Sequence, residues 1–121
     1  MMDYIFLLLI ILGIIFFFTR MLPVKGIGSV STAELIHLLN DKNIQFIDVR
    51  TPAEFKNNHL QQFQNIPLHE LATKAKKLDP TKETILICQS GMRSMRAAKI
   101  LKKAGFTNLV NIRGGMNTWH P

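Results

Sequence analysis

The chain has 121 residues, 47% of them hydrophobic, a net charge of +7 and one cysteine. That length allows one ordinary domain, and a single cysteine excludes an internal disulfide framework. The four histidines, at 37, 59, 69 and 120, show no metal-ligand spacing, so no metal and no cofactor is expected.

The hydrophobic residues are unevenly spread. Tyr4 to Phe18 is apolar except for Gly13, and the first charges on either side are Asp3 and Arg20. The uncharged run 4–19 would rise about 24 Å as a helix, against a bilayer core of about 30 Å. The run reads as a short uncleaved transmembrane anchor within residues 1–24. Asp3 stands where a signal peptide would carry basic residues, and Phe16-Phe17-Phe18-Thr19-Arg20 offers no small-residue cleavage site. Arg20 and Lys25 follow the run, so the positive-inside rule places the rest of the chain on the cytoplasmic side of a single-pass protein. A free cysteine agrees with a reducing compartment. Residues 25–30 read as a short tether and first strand, and 28–121 as the globular domain.

Ser31-Thr32-Ala33-Glu34 fits a capping box, with Leu35, Ile36, Leu38 and Leu39 following at helical spacing. Ile44 to Val49 reads as a buried strand. Thr51-Pro52 opens a short helix that Asn57-Asn58 breaks. Gln64 to Ile66 is a short strand, and Leu68 to Leu78 is helical up to Asp79-Pro80. Thr84 to Cys88 is an apolar, β-branched run and reads as a central strand. A helix from about Arg93 to Ala104 stops at Gly105. Asn108 to Ile112 is a further strand, and Gly114-Gly115 opens a last turn ending near Trp119. Alternating strands and helices predict a parallel α/β sheet with helices on both faces. Ligands bind such sheets at the carboxyl ends of the strands.

Cys88 stands at such an end, followed by Gln89-Ser90-Gly91-Met92-Arg93-Ser94. A strand–loop–helix turn directs backbone N–H groups into the loop, and the helix start adds partial positive charge. Gly91 admits a backbone conformation other residues resist. A thiol titrates near 8.5 when free, and helix starts and arginines lower that value, so the sequence points to a thiolate at neutral pH. Arg93 offers a planar fork for a sulfate-like or phosphate-like group. The lysines at 74, 76, 77, 99, 102 and 103 are scattered, and no nucleic-acid motif accompanies them; they read as a solvated surface.

Four blocks in order resemble the rhodanese family. Ile47-Asp48-Val49-Arg50-Thr51-Pro52-Ala53-Glu54-Phe55 is similar to D-V-R-x-x-x-E-[FY]. Asn58-His59 through Asn65-Ile66-Pro67 is similar to G-H-I-P-G-A-x-N-I-P, although its opening reads N-H-L-Q-Q-F and lacks two glycines and a proline. Cys88 to Ser94 matches C-x-x-G-x-R-S. Gly105-Phe106 through Gly114-Gly115 to Trp119 matches G-F-x-N-V-x-x-L-x-G-G-x-x-x-W. The resemblance covers residues 28–119 and implies a rhodanese-like three-layer α/β fold. It also implies a sulfurtransferase, with Cys88 as nucleophile and sulfur carrier. In that reading the amides of Gln89, Ser90, Gly91, Met92 and Ser94 stabilise a persulfide, and Arg93 binds the donor anion. Asp48, Arg50 and His59 take structural roles, and the partners are a small-molecule sulfur donor and a thiol or protein acceptor. Two alternatives remain: a non-catalytic interaction module, and a phosphatase or arsenate reductase on the same fold. The latter use C-x5-R, one residue longer than the C-x4-R of Cys88 to Arg93.

Overall fold

A computed structural model describes residues 2–21 and 26–120. Met2–Met21 forms helix α1, with the apolar side chains from Tyr4 to Phe18 exposed. Among the described residues no helix is long and apolar enough to cross a membrane. This corrects the expectation of a single-pass anchor over 1–24, and with it the membrane partner through residues 4–19 and the membrane location with a cytoplasmic domain. Among the described residues no transmembrane helix precedes the α/β unit. The physical reason is length: about 24 Å of uncharged helix falls short of the hydrocarbon core. The start of the expected tether, with Lys25, lies outside the described residues.

The remaining elements are β1 (Ile27–Val30), α2 (Thr32–Leu35), β2 (Gln45–Asp48), α3 (Pro52–Asn57), β3 (Gln64–Asn65), α4 (Leu68–Lys74), β4 (Thr84–Ile87), α5 (Met92–Lys103) and β5 (Leu109–Ile112), with 3-10 turns at Ala75–Lys77 and Gly115–Thr118. The five strands form one sheet in the order β1-β5-β4-β2-β3, and every pair is parallel. All four residues of β4 are buried, as are those of β5. This is why both are rich in apolar residues rather than strictly alternating.

Alternation reappears in which face each residue covers. Ile47, Val49, Leu86, Cys88 and Leu109 pack with Leu71 of α4 and Ala97, Ala98 and Leu101 of α5. Phe46, Ile85, Ile87, Val110 and Ile112 pack on the other face with Leu35 of α2 and Met116. The expected layers are therefore present: helix, parallel sheet, helix. The split follows from right-handed crossovers. Connections that step one way across the sheet (β3 to β4 to β5) run over one face, and those that step the other way (β1 to β2 to β3) run over the opposite one.

Two elements are shorter than their patterns suggest. The Ser31 hydroxyl accepts from Glu34 N at 3.2 Å, yet α2 ends at Leu35 and continues as turns with Leu38 N donating to Leu35 O at 2.9 Å. Asn40 and Asp41 follow too closely for a longer helix. At Thr51 the full reciprocal capping box forms with Glu54, and Pro52 takes the first helical position, where its missing N–H costs nothing.

Candidate functional site

After β2 the chain steps toward β3, and after β4 it steps toward β5 on the other side. The carboxyl ends of β2 and β4 therefore flank a switch point, where an open parallel sheet leaves a crevice. Cys88 follows β4 directly, and the loop Gln89–Gly91 leads into α5.

Cys88 is fully buried, because the β4 alternation that turns Leu86 toward α5 turns Cys88 the same way. Its Sγ accepts a hydrogen bond from Gly91 N at 3.0 Å and lies 3.3 Å from Ser94 Oγ. Gly91 sits at φ 102°, a left-handed conformation that brings its N–H round to the sulfur and that an L side chain would resist.

The loop is held from behind. Met116 N donates to Cys88 O at 2.9 Å and Asn117 N to Gln89 O at 3.0 Å. In a trans peptide the N–H points opposite to the C=O. Fixing those two carbonyls on the 115–118 turn thus aims the N–H groups of Gln89 and Ser90 away from it. The approach is so close that a Cβ on Gly115 would run into the carbonyls of Cys88 and Gln89.

Arg93 lies in the first turn of α5. Its two terminal nitrogens donate to the Glu54 carboxylate at 2.7 and 2.9 Å, a bidentate pair with both side chains about one-third exposed. The Arg93 hydrogen bonds hold the Glu54 carboxyl down at about 2, helped by Thr51 and opposed by partial burial. Arg93 is shifted the other way, first by Glu54, and it also senses Cys88. Glu54 thus bridges α3 to the first turn of α5. The pair stands between two clefts. One, of about 500 Å³, is lined by Val49, Pro67, Leu68, Arg93 and Ile100 among others. The other, of about 220 Å³, is lined by Arg50, Glu54, Asn57, Asn58, Gln89 and Met116.

The other residues singled out from sequence divide between loop and scaffold. Gln89 donates to Asn117 Oδ1 at 2.6 Å and accepts from Arg50 at 3.4 Å, so its side chain ties the loop to its neighbours. Ser90 and Met92 are exposed at the rim. Ser94 is fully buried, with its hydroxyl among Gly91 O, Asn111 Oδ1 and Cys88 Sγ. Asp48 and Arg50 form a buried ion pair at 2.8 Å, and Arg50 also donates to Asn58 O at 2.7 Å. His59 is exposed, stacks on Phe55 at 3.8 Å, and places Nδ1 2.6 Å from Phe55 O; its contacts are with the end of α3. Asn111, buried on β5 and within hydrogen-bonding distance of Ser94, was not singled out from sequence. Its signal was a lone polar side chain inside the run Leu109-Val110-Asn111-Ile112.

The rhodanese-like domain family model matches residues 31–121, and the chain belongs to that family. It is 40% identical over 78 residues to the uncharacterized protein YqhL of Bacillus subtilis, covering 64% of this chain and 62% of YqhL, so it spans less than two-thirds of that relative's length. It is 28% identical over 90 residues to thiosulfate sulfurtransferase GlpE of Shewanella oneidensis, covering 74% of this chain and 89% of GlpE. Among solved structures, the human single-domain sulfurtransferase TSTD1 superposes with a TM-score of 0.68 at 27% identity, over 75% of this chain and 93% of that one. The chain is thus a rhodanese-fold protein related to sulfurtransferases.

Proposed function

We propose that this protein moves sulfane sulfur from a thiosulfate-like or persulfide donor to a thiophilic acceptor through a persulfide on Cys88. The observation that carries the reading is the Gly91 N–H donated to Cys88 Sγ at 3.0 Å, in a loop whose carbonyls are turned away. A fixed donor beside the sulfur can stabilise negative charge that develops there during transfer. With thiosulfate, the Cys88 thiolate attacks the outer sulfur. A new S–S bond forms, the old one breaks, and sulfite leaves with the bonding pair. The outer sulfur, now a persulfide anion, faces the N–H groups of Gln89 and Ser90. A thiol or cyanide then takes that sulfur and the Cys88 thiolate returns.

The test is the intact mass of the full chain after brief exposure to thiosulfate. A gain of one sulfur atom is expected, reversed by cyanide and absent in Cys88→Ser. No gain with thiosulfate or a persulfide donor would overturn the reading. Hydrolysis of an aryl phosphate that Cys88→Ser abolishes would replace it with the phosphatase alternative.

Arg93 serves the donor anion in this scheme, and Glu54 competes for the same guanidinium. Glu54→Gln is therefore expected to lower the thiosulfate KM by about fivefold, the worth of roughly 1 kcal/mol between charges about 4 Å apart in water, with kcat little changed. An unchanged or raised KM in steady-state assays would remove Arg93 from donor binding. The same variant has a pH signature. The folded Glu54 pKa lies below the unfolded one, so the pair's stabilisation is present above about 4.5 and lost as pH falls toward about 2. The stability gap between parent and variant in urea titrations should close over that window.

A further inference from the structure

The Ser94 hydroxyl touches three groups and has one proton to give. Gly91 O is at 3.1 Å, Asn111 Oδ1 at 2.5 Å and Cys88 Sγ at 3.3 Å. The first two can only accept. Asn111 Nδ2 faces Gly91 O at 3.4 Å, and turning the amide over would set two carbonyl oxygens against each other. The amide orientation is therefore fixed with Oδ1 toward Ser94, and the shortest contact takes the proton. What Ser94 shows to the sulfur is a lone pair. That suits a thiol, which donates S–H, and works against a thiolate, which needs a donor.

We propose that Asn111 is a positioning residue acting through Ser94. It holds the hydroxyl proton away from Cys88, favouring the thiol. When the thiol proton leaves to solvent, Ser94 must rotate its own proton from Asn111 Oδ1 to Sγ to serve the anion. The sequence makes this geometry possible by period alone. Asn111 lies between Val110 and Ile112, which face α2, so its side chain faces α5 and Ser94. The charged groups around Cys88 are Arg93 on α5, Glu54 on α3 and the Asp48–Arg50 pair at the carboxyl end of β2, and the variants below leave all of them in place. The inference deepens the sulfur-transfer reading and rests on it for its catalytic meaning.

The chain's single cysteine allows its thiolate to be followed by ultraviolet absorbance against pH, with Cys88→Ser as blank. Asn111→Ala removes the nearer competing carbonyl; the other, Gly91 O, keeps the Met95 N–H as a donor at 3.2 Å, so the charged sulfur, the stronger acceptor, can draw the Ser94 proton. The thiolate fraction near pH 6 is expected to rise at least about threefold, less than a full hydrogen bond to a charged group is worth because Gly91 O still competes. Asn111→Leu removes the same carbonyl at nearly constant volume and should shift the curve the same way, which decides the matter if the alanine variant does not fold. In a Ser94→Ala background neither substitution should move the curve. No shift, a shift to higher pH, or an equal shift without Ser94 would overturn the inference. A persulfide on the parent protein with no such shift removes this inference alone. The shift without a persulfide removes the sulfur-transfer reading and leaves the hydrogen-bond chain standing.

Discussion

Cys88→Ser is expected to abolish sulfur transfer to cyanide, lowering turnover by at least about 10³-fold, while the protein stays folded. The hydroxyl would occupy the sulfur's place between Gly91 N and Ser94 Oγ, so its polar atom finds partners in an otherwise closed site. The cost to stability is small, of the order of 1 kcal/mol for the lost sulfur volume. The chemical cost is large for two reasons. An alcohol is not ionised at neutral pH as a thiol can be, and oxygen cannot carry a sulfane sulfur as a stable persulfide. Thiocyanate formation measured beside circular dichroism separates the two effects. Turnover retained in a folded serine variant would show that the sulfur travels by another route.

Arg50→Ala is expected to be the most damaging single change to the scaffold. Asp48 is fully buried and Arg50 nearly so. Arg50 Nε donates to both carboxylate oxygens at 3.0 and 3.1 Å, and its backbone N donates to one of them at 3.0 Å. Truncation leaves a carboxylate with no counter-ion in the interior, which typically costs about 3–5 kcal/mol. It also removes the donors to Asn58 O and Gln89 Oε1, so the end of α3 and the cysteine loop lose a shared anchor. Urea unfolding of the parent, Arg50→Ala and the Asp48→Asn/Arg50→Ala pair checks the cause. Most of the loss should return in the double variant, where the charge is gone. A loss below about 1 kcal/mol in the single variant would mean that water reaches Asp48.

Local chemistry made most of the sheet legible before any coordinates. Thr84 to Ile87 and Leu109 to Ile112 are mostly apolar because both faces of a parallel strand are covered, and composition reports that directly. The position of Cys88 at a strand end was legible for the same reason. Partnerships across the fold were not. Glu54 and Arg93 are 39 residues apart in sequence, and only the switch-point topology brings α3 over the start of α5. Asn111 was overlooked because its neighbours mark a strand and say nothing of what lies across from it. At α2, helical spacing of leucines was outweighed by Asn40 and Asp41, which close the segment in turns. The 4–19 run already fell short on length, about 24 Å against about 30 Å, and its unbroken hydrophobicity outweighed that shortfall in the sequence reading.

The closeness of Gly115 to Cys88 has a consequence for where the chain can be shortened. All five strands are complete by Ile112, so a protein ended just after Arg113 would keep the whole sheet. It would nevertheless lose Met116 N and Asn117 N, the two donors that hold the carbonyls of Cys88 and Gln89. The peptide planes of the loop would then be free to turn, and the N–H groups of Gln89 and Ser90 would turn with them. Tolerance to truncation depends on the backbone bonds a segment supplies rather than on its distance from the last strand. By that measure residues 115–118 belong to the reactive loop as fully as the residues that follow β4.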